Sequence, residues 1–372
     1  VVRVHWDRLF EDLEGQLASE WESERAALDA APDGGRLRLL AVAESAGALI
    51  AVEMESAGLP WDRGEHERLL RAELGEPSAS GRPRGIDALA ARVREALGDP
   101  TASLDSQPKL LRSLHRIGVL VDSTSKWELR RHEHPVVAPL LEYKRLMRLY
   151  TANGPAWLDE WVHDGRFRPV YIPAGVVTGR WASAGGGALQ IPRNLRSAVR
   201  ADPGWCFVIA DVAQLEPRVL AAMSGDRALA DAAHGRDLYA GVVARGAVQT
   251  RDEAKIAMLG AMYGATSGDS GRLMPSLRRA FPQAMGLVDD AAQVGERGGA
   301  VTTWLGRTSP IPGAAWERLQ ARASDVSASE SDASAARRSA RDFGRFTRNF
   351  VVQGTAAEWA LAWLADLHTR LA

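Results

Sequence analysis

A chain of 372 residues, 46% hydrophobic and 25% charged, exceeds one ordinary core, so about two or three subdomains are expected and a disordered or fibrous chain is excluded. The lone cysteine, Cys206, excludes an internal disulfide and a cysteine-based zinc site and fits a reducing cytoplasm; no apolar run reaches membrane-span length and no signal-peptide pattern opens the chain. A formal net charge of −1 excludes a globally basic nucleic-acid binder and leaves only local charge to argue from.

Residues 1–45 read as an Ala/Glu-rich helix followed by a short apolar piece at Leu37–Val42, with no chemistry in either. Ala46–Asp62 reads as an amphipathic helix ended by Gly58, and residues 63–150 as mainly helical. Ser106 stands as a cap with Pro108 in the first turn behind it. Pro139–Tyr150 carries Lys144, Arg145 and Arg148 beside Leu140, Leu141 and Leu149; these cations serve either a phosphate backbone or a solvated face. From Gly165 the pattern changes to short strands and Gly-rich turns. Between Gly165 and Arg200 stand arginines 166, 168, 180, 193, 196 and 200 and no acid, which is a phosphate track or a solvated strip. The apolar run Phe207–Ala210 predicts a buried strand, and helices then dominate to about Phe281. Gly299–Thr308 reads as a hairpin, the Ser/Ala-rich stretch 323–340 as an exposed loop, and the remainder as a final helix. His132 and His134 read as exposed residues rather than ligands, and no tandem repeat is present. The whole is α+β.

Three stretches carry chemistry. In Cys206–Arg218, Asp211 ends the predicted strand, Glu216 follows five residues later, and a helix follows at once. A carboxylate there holds a hard cation or caps the helix at Gln214–Leu220. In Arg251–Gly264, Arg251, Lys255, Leu259 and Tyr263 step by four, so each step drifts only about 40° and the row is one slowly winding stripe. Its twelve-residue span is about 18 Å, comparable to a nucleoside triphosphate, with cations at one end and an aromatic ring at the other. On the last helix, Arg345, Asn349 and Gln353 again step by four, and all three can donate to acceptors present in the minor groove at every base pair.

These stretches, with Gln353-Gly-Thr-Ala-Ala-Glu358, Val177-Thr-Gly-Arg-Trp-Ala-Ser183 and Leu189-Gln-Ile-Pro192, resemble the family A DNA polymerases of the bacterial DNA polymerase I type, from about Ala46 to the last residue. The resemblance implies a right-hand architecture, with a palm sheet between helical thumb and fingers. Residues 1–45 would be a linker or the edge of a preceding exonuclease-like domain. The thumb would be 46–164, the first part of the palm 165–240, the fingers 241–312, and a palm-side loop and helix 313–372. It implies template-dependent addition of deoxynucleotides to a primer 3′ end, with two Mg²⁺ ions. Asp211 and the Val212 carbonyl would hold metal, and Lys255 would be the general acid for the departing pyrophosphate. Gln214, Glu216, Arg251, Lys255, Leu259 and Tyr263 would meet the nucleotide, Glu216 filling the space of a ribose 2′-hydroxyl and so disfavouring an RNA polymerase. Arg180, Gln190, Arg196, Arg345, Asn349 and Gln353 would meet DNA.

The chain departs from the pattern in places. Leu259 stands where the family has an aromatic, Met258 where an asparagine is common, and Leu189–Pro192 is one residue short. The family's later His-Asp-Glu hairpin, with the second metal carboxylate, has no counterpart before Ala372, so the chain is expected to be a fragment with half a metal site, inactive or weakly active. Its expected partners are primer-template DNA and deoxynucleoside triphosphates, with no membrane, as a monomer. The alternative is a non-catalytic DNA-binding remnant of a polymerase.

Overall fold

The computed structural model describes residues 6–79, 81–235, 237–265 and 268–371. In chain order it runs α1 (Trp6–Ala30), α2 (Gly34–Ala57), β1 (Leu59–Pro60), α3 (Arg63–Leu74), α4 (Arg84–Leu97), α5 (Gln107–Arg116), α6 (Lys126–Leu129), α7 (Val137–Asn153), α8 (Pro155–Trp161), β2 (Val162–His163) and β3 (Arg166–Phe167). After two 3₁₀ turns, Ala188–Gln190 and Arg193–Ala198, come α9 (Leu215–Ser224), α10 (Arg227–Ala233), α11 (Leu238–Ala244), α12 (Arg251–Tyr263), α13 (Gly268–Ala280), α14 (Pro282–Glu296), α15 (Ala314–Ala323) and α16 (Glu330–Leu371). The α+β expectation holds, with helices far outweighing the sheet.

The chain divides into two compact units, one of Val1–Ala51, Ile172–Ala182 and Ile209–Ala372, the other of Val52–Tyr171 and Ser183–Val208. In the second, Leu59 pairs with Phe167 and Val162 with Phe167 on its other side, giving an antiparallel sheet in the order β1-β3-β2. The β2–β3 turn is Asp164-Gly165, both at positive φ, as a two-residue hairpin requires. Trp61, Trp157 and Phe167 close a small core over this sheet, their ring centroids 4.9–5.4 Å apart, around a fully buried His66. A larger core of the same unit gathers Ile86, Leu110, Leu114, Leu129 and Leu140 from α4 to α7. Asp62 caps α3 by accepting from the Glu65 N–H at 2.8 Å, whereas Ser106 stands at the start of α5 without a side-chain cap bond.

In the first unit, α9 to α14 bury Leu220, Leu238, Met258, Leu277 and Phe281 around one core, to which α16 adds Val352. At 42 residues α16 is about 63 Å long. It is held to α14 by Thr347, fully buried, whose hydroxyl donates to the Ala291 carbonyl at 2.7 Å. Asp226 is 3% exposed and accepts from the Leu229, Gln283 and Ala284 N–H groups at 3.0–3.1 Å, so one carboxylate caps both α10 and α14.

Three expectations change. The predicted buried strand Phe207–Ala210 is neither buried nor a strand: Val208 and Ile209 are 92% and 90% exposed, and no strand pairs with them among the described residues. Apolar character alone does not make a strand; a neighbour must take up its N–H and C=O groups. The stretch 323–340 is a loop only to Ser329, whose hydroxyl accepts from the Asp332 N–H at 3.1 Å and so opens α16 at Glu330. The helix expected at 46–62 starts at Gly34, absorbing Leu37–Val42, and ends at Ala57. The hairpin expected at 299–308 is present as a tight turn with a Thr302–Thr308 bridge.

Candidate functional site

The row predicted on α12 faces outward. Arg251, Lys255 and Tyr263 are exposed and Leu259 half-buried, while Ala254, Ala257, Met258, Ala261 and Met262 of the same helix are buried. Met258 is fully buried among core side chains, so the departure from asparagine there is a packing residue. Thr250 and Glu253 form a reciprocal capping box at the N-terminal end, and Gly264, at φ 70°, closes the C-terminal end. A side chain at Gly264 would also strike Arg345, its Cβ falling 2.7 Å from Cγ, so glycine lets the long helix pass.

At the aromatic end four predicted residues meet. The Tyr263 hydroxyl donates to Glu216 Oε2 at 2.5 Å, and Gln353 stands near enough to draw the phenol's pKa downward. Thr178 donates in turn to Gln353 Oε1 at 2.8 Å, and Arg180 lies 3.8 Å from Glu216 Oε1. Burial first, and the Glu216 bond second, push the Tyr263 phenol up to about 12. The segment Thr178–Arg180, the first turn of α9, the end of α12 and the middle of α16 are thereby joined through side chains. Gln214 precedes α9 in the left-handed region, φ 50°, and its Oε1 accepts from the Leu238 N–H at 3.3 Å and from Arg218 at 3.5 Å. Arg218, which the sequence did not single out, also donates to the Ala213 carbonyl at 2.8 Å and so ties down the approach to α9.

At the cationic end Arg251 donates to Asp237 Oδ2 at 2.6 Å and lies over the Tyr239 ring, whereas Lys255 has no ion-pair partner among the described residues. On α16, Arg345 is exposed and paired with Asp342, and Asn349 is half-buried. Arg348, absent from the predicted row, is 9% exposed and donates to the Ala261 carbonyl at 2.8 Å and to Asp289. It thus satisfies a terminal carbonyl of α12 with a cation. Sequence spacing did not single it out: it lies only about 60° around the helix from Arg345, and α12 and α14 bury it.

The downstream motif is largely structural. Glu358, 1% exposed, accepts from the Leu305 N–H at 3.0 Å and from the Thr303 hydroxyl, and Thr355 accepts from the Trp304 N–H at 3.0 Å. Burial pushes the Glu358 carboxyl up, against the lowering effect of those donors and of Arg307. Apart from Gln353, this stretch clamps the 301–309 turn.

Asp211 is exposed in an irregular segment, with no side-chain partner among the described residues, and Val212 is half-buried. No group of three or more His, Cys, Asp or Glu side chains suited to a metal gathers among the described residues. One carboxylate and one carbonyl fit a single Mg²⁺ that arrives with phosphates and keeps its waters; they do not fit a protein-built two-ion site.

In the other unit, Gln190 lies on the rim of a cavity of about 420 Å³ lined also by Arg145, Arg148, Trp157 and Asn194. Arg145 is bound to Glu142 and Glu73, and Lys144 to Thr124, whereas Arg148 is exposed with no ion-pair partner among the described residues. Of the arginine strip, Arg166 pairs with Asp202 and Arg200 with Asp62 at 2.8 Å, while Arg193 and Arg196 are exposed without ion-pair partners among the described residues. Acids outside the strip neutralise part of it, which a local charge count does not reveal.

The fold is shared with a nucleic-acid polymerase: the chain matches the solved POL domain of Pol1 from M. smegmatis, in complex with DNA primer-template and dNTP, with a TM-score of 0.65 and 20% identity over 86% of this chain and 58% of that one. The family model for DNA polymerase family A matches residues 108–372, and the chain belongs to that family. DNA polymerase I of Chloroflexus aurantiacus is 32% identical over 64% of this chain and 26% of its own length. The thermostable DNA polymerase I of Thermus aquaticus is 28% identical over 98% of this chain and 44% of its own. The chain therefore spans less than half the length of these two relatives. No helix among the described residues is long and apolar enough to cross a membrane.

Proposed function

We propose that this chain is the nucleotide- and primer-template-binding part of a DNA-directed DNA polymerase that adds deoxynucleotides to a primer 3′ end. The observation that carries the reading is the convergence of Tyr263, Glu216, Gln353 and Arg180 at the aromatic end of a helix whose other end bears Arg251 and Lys255. In this reading Arg251 and Lys255 hold the triphosphate, Lys255 protonates the departing pyrophosphate, and Leu259, Tyr263 and Gln214 bound the sugar and base. Glu216 occupies the place of a 2′-hydroxyl. Arg180, Gln190, Arg196, Arg345, Asn349 and Gln353 contact DNA, with 46–164 as thumb, 165–240 and 313–372 as palm and 241–312 as fingers. Asp211 and the Val212 carbonyl take one Mg²⁺ delivered with the triphosphate, where the ion would neutralise phosphate charge.

Deoxynucleoside triphosphate binding to the chain with primer-template should weaken roughly tenfold in Arg251→Ala and in Lys255→Ala, by loss of a charge-assisted phosphate contact. Unchanged binding in both variants would overturn the assignment. A non-catalytic primer-template binder is the second reading, favoured by the solitary exposed Asp211 and by Leu259, which offers no ring to a sugar. Single-turnover primer extension abolished by Asp211→Ala would exclude it.

A further inference from the structure

Arg251 is already engaged. Its Nε donates to Asp237 Oδ2 at 2.6 Å, and its guanidinium carbon lies 5.5 Å from the centroid of the Tyr239 ring. The two partners differ in kind. Tyr239 is 7% exposed and belongs to the helical core, so its ring is a fixed platform. Asp237 caps α11, its Oδ1 accepting from the Tyr239 N–H at 3.0 Å and the Ala240 N–H at 3.4 Å. That carboxylate keeps partners whether or not Arg251 is present. The Arg251 and Asp237 side chains are 52% and 34% exposed, a setting in which an ion pair is weak enough to exchange.

We propose that Asp237 is a latch on Arg251: it occupies the guanidinium until a triphosphate displaces it, and so sets the affinity of the site for phosphate. The inference rests on the reading of Arg251 as a phosphate ligand. Phosphate oxygens offer a guanidinium the same planar, charge-assisted bonds as a carboxylate, with more charge behind them, so the exchange is one anion for another. Tyr239 holds the guanidinium over its ring while the partner changes, and Asp237 stays on its helix cap. The Arg251 guanidinium, with the two helix N–H groups, holds the Asp237 carboxyl below its usual range, so the latch is charged near neutral pH.

The test is calorimetric binding of inorganic tripolyphosphate to the whole chain, a probe that needs neither DNA nor turnover. Asp237→Asn keeps the cap, since asparagine caps as well as aspartate, and removes the charge. It should bind roughly two- to tenfold more tightly than the parent chain, with an unchanged melting temperature. The same substitution in an Arg251→Ala background should give little or no gain, because a double-mutant cycle isolates the pair. Weaker binding in Asp237→Asn would show that Asp237 instead holds Arg251 ready for phosphate, and equal gains in both backgrounds would reduce Asp237 to a general negative charge; either result overturns the latch. If Arg251→Ala alone binds as the parent does, the phosphate assignment of Arg251 fails, and the latch fails with it.

Discussion

His66 shows how much of a side chain's behaviour is set by what surrounds it. Its Nδ1 accepts from the Trp61 Nε1–H at 3.2 Å, and its Nε2 lies 2.9 Å from the Asn153 carbonyl, which fixes the neutral tautomer with the proton on Nε2. Burial holds its pKa below the ordinary value, with the Asn153 carbonyl and Glu67 acting weakly in the other direction and Arg63 with it. The folded state thus binds fewer protons than the unfolded chain near this group. The corresponding stability is whole above about pH 6.5 and is lost as pH falls below it. Thermal unfolding at pH 7.5 and pH 5.5 should therefore show a larger drop for the parent chain than for His66→Gln, which does not titrate; parallel drops would refute the assignment. Nothing in the sequence around His66 distinguishes it from a surface histidine at the start of a helix. Of the two rings against it, Trp61 is five residues away, but Trp157, stacked on it at 5.5 Å, comes from far along the chain.

Helix α16 carries two faces with separate tasks. The exposed or half-buried row Arg345, Asn349 and Gln353 was legible from its four-residue step, because helical spacing alone decides which residues share a stripe. The motif that ends at Glu358 was legible as a unit but not in its purpose. Its threonine and glutamate bond the backbone of the 301–309 turn, a contact between segments about fifty residues apart. Glu358→Ala leaves the Leu305 N–H buried without an acceptor and the Thr303 hydroxyl with only the Arg307 carbonyl at 3.4 Å, and should cost about 2–4 kcal/mol. Urea unfolding of Glu358→Ala and Glu358→Gln will test this: the glutamine variant, which keeps one acceptor oxygen, should lose less than half as much. An equal loss would mean that charge, and not hydrogen bonding, holds the turn. The stretch Phe207–Ala210 failed as a strand for the complementary reason: its composition is that of a strand, but pairing is supplied by a neighbour and not by the segment.

The chain as a whole is close to electrically neutral, with a sequence pI of about 6.8, and it exposes an uncharged apolar run at Phe207–Ile209. Near-zero net charge removes the repulsion that keeps proteins apart, and an unpaired apolar segment offers a template for self-association. Val208→Glu combined with Ile209→Glu should raise solubility near neutral pH with little change in melting temperature, since neither side chain contributes to a core. Light scattering across pH 6–8 will check this, and unchanged association would remove that segment as its cause.

Local pattern was enough for the family, for the outward row on α12, for the partner row on α16, and for a mostly helical chain with short strands after Gly165. Those features follow from spacing and from residue types at fixed offsets. Folding had to add the pairings: that Tyr263 meets Glu216, that Asp237 holds Arg251, that acids elsewhere neutralise part of the arginine strip, and that Phe207–Ala210 stands unpaired. Charge and hydrogen bonding act over a few ångströms of space, and distance along the chain does not report which groups folding brings that close.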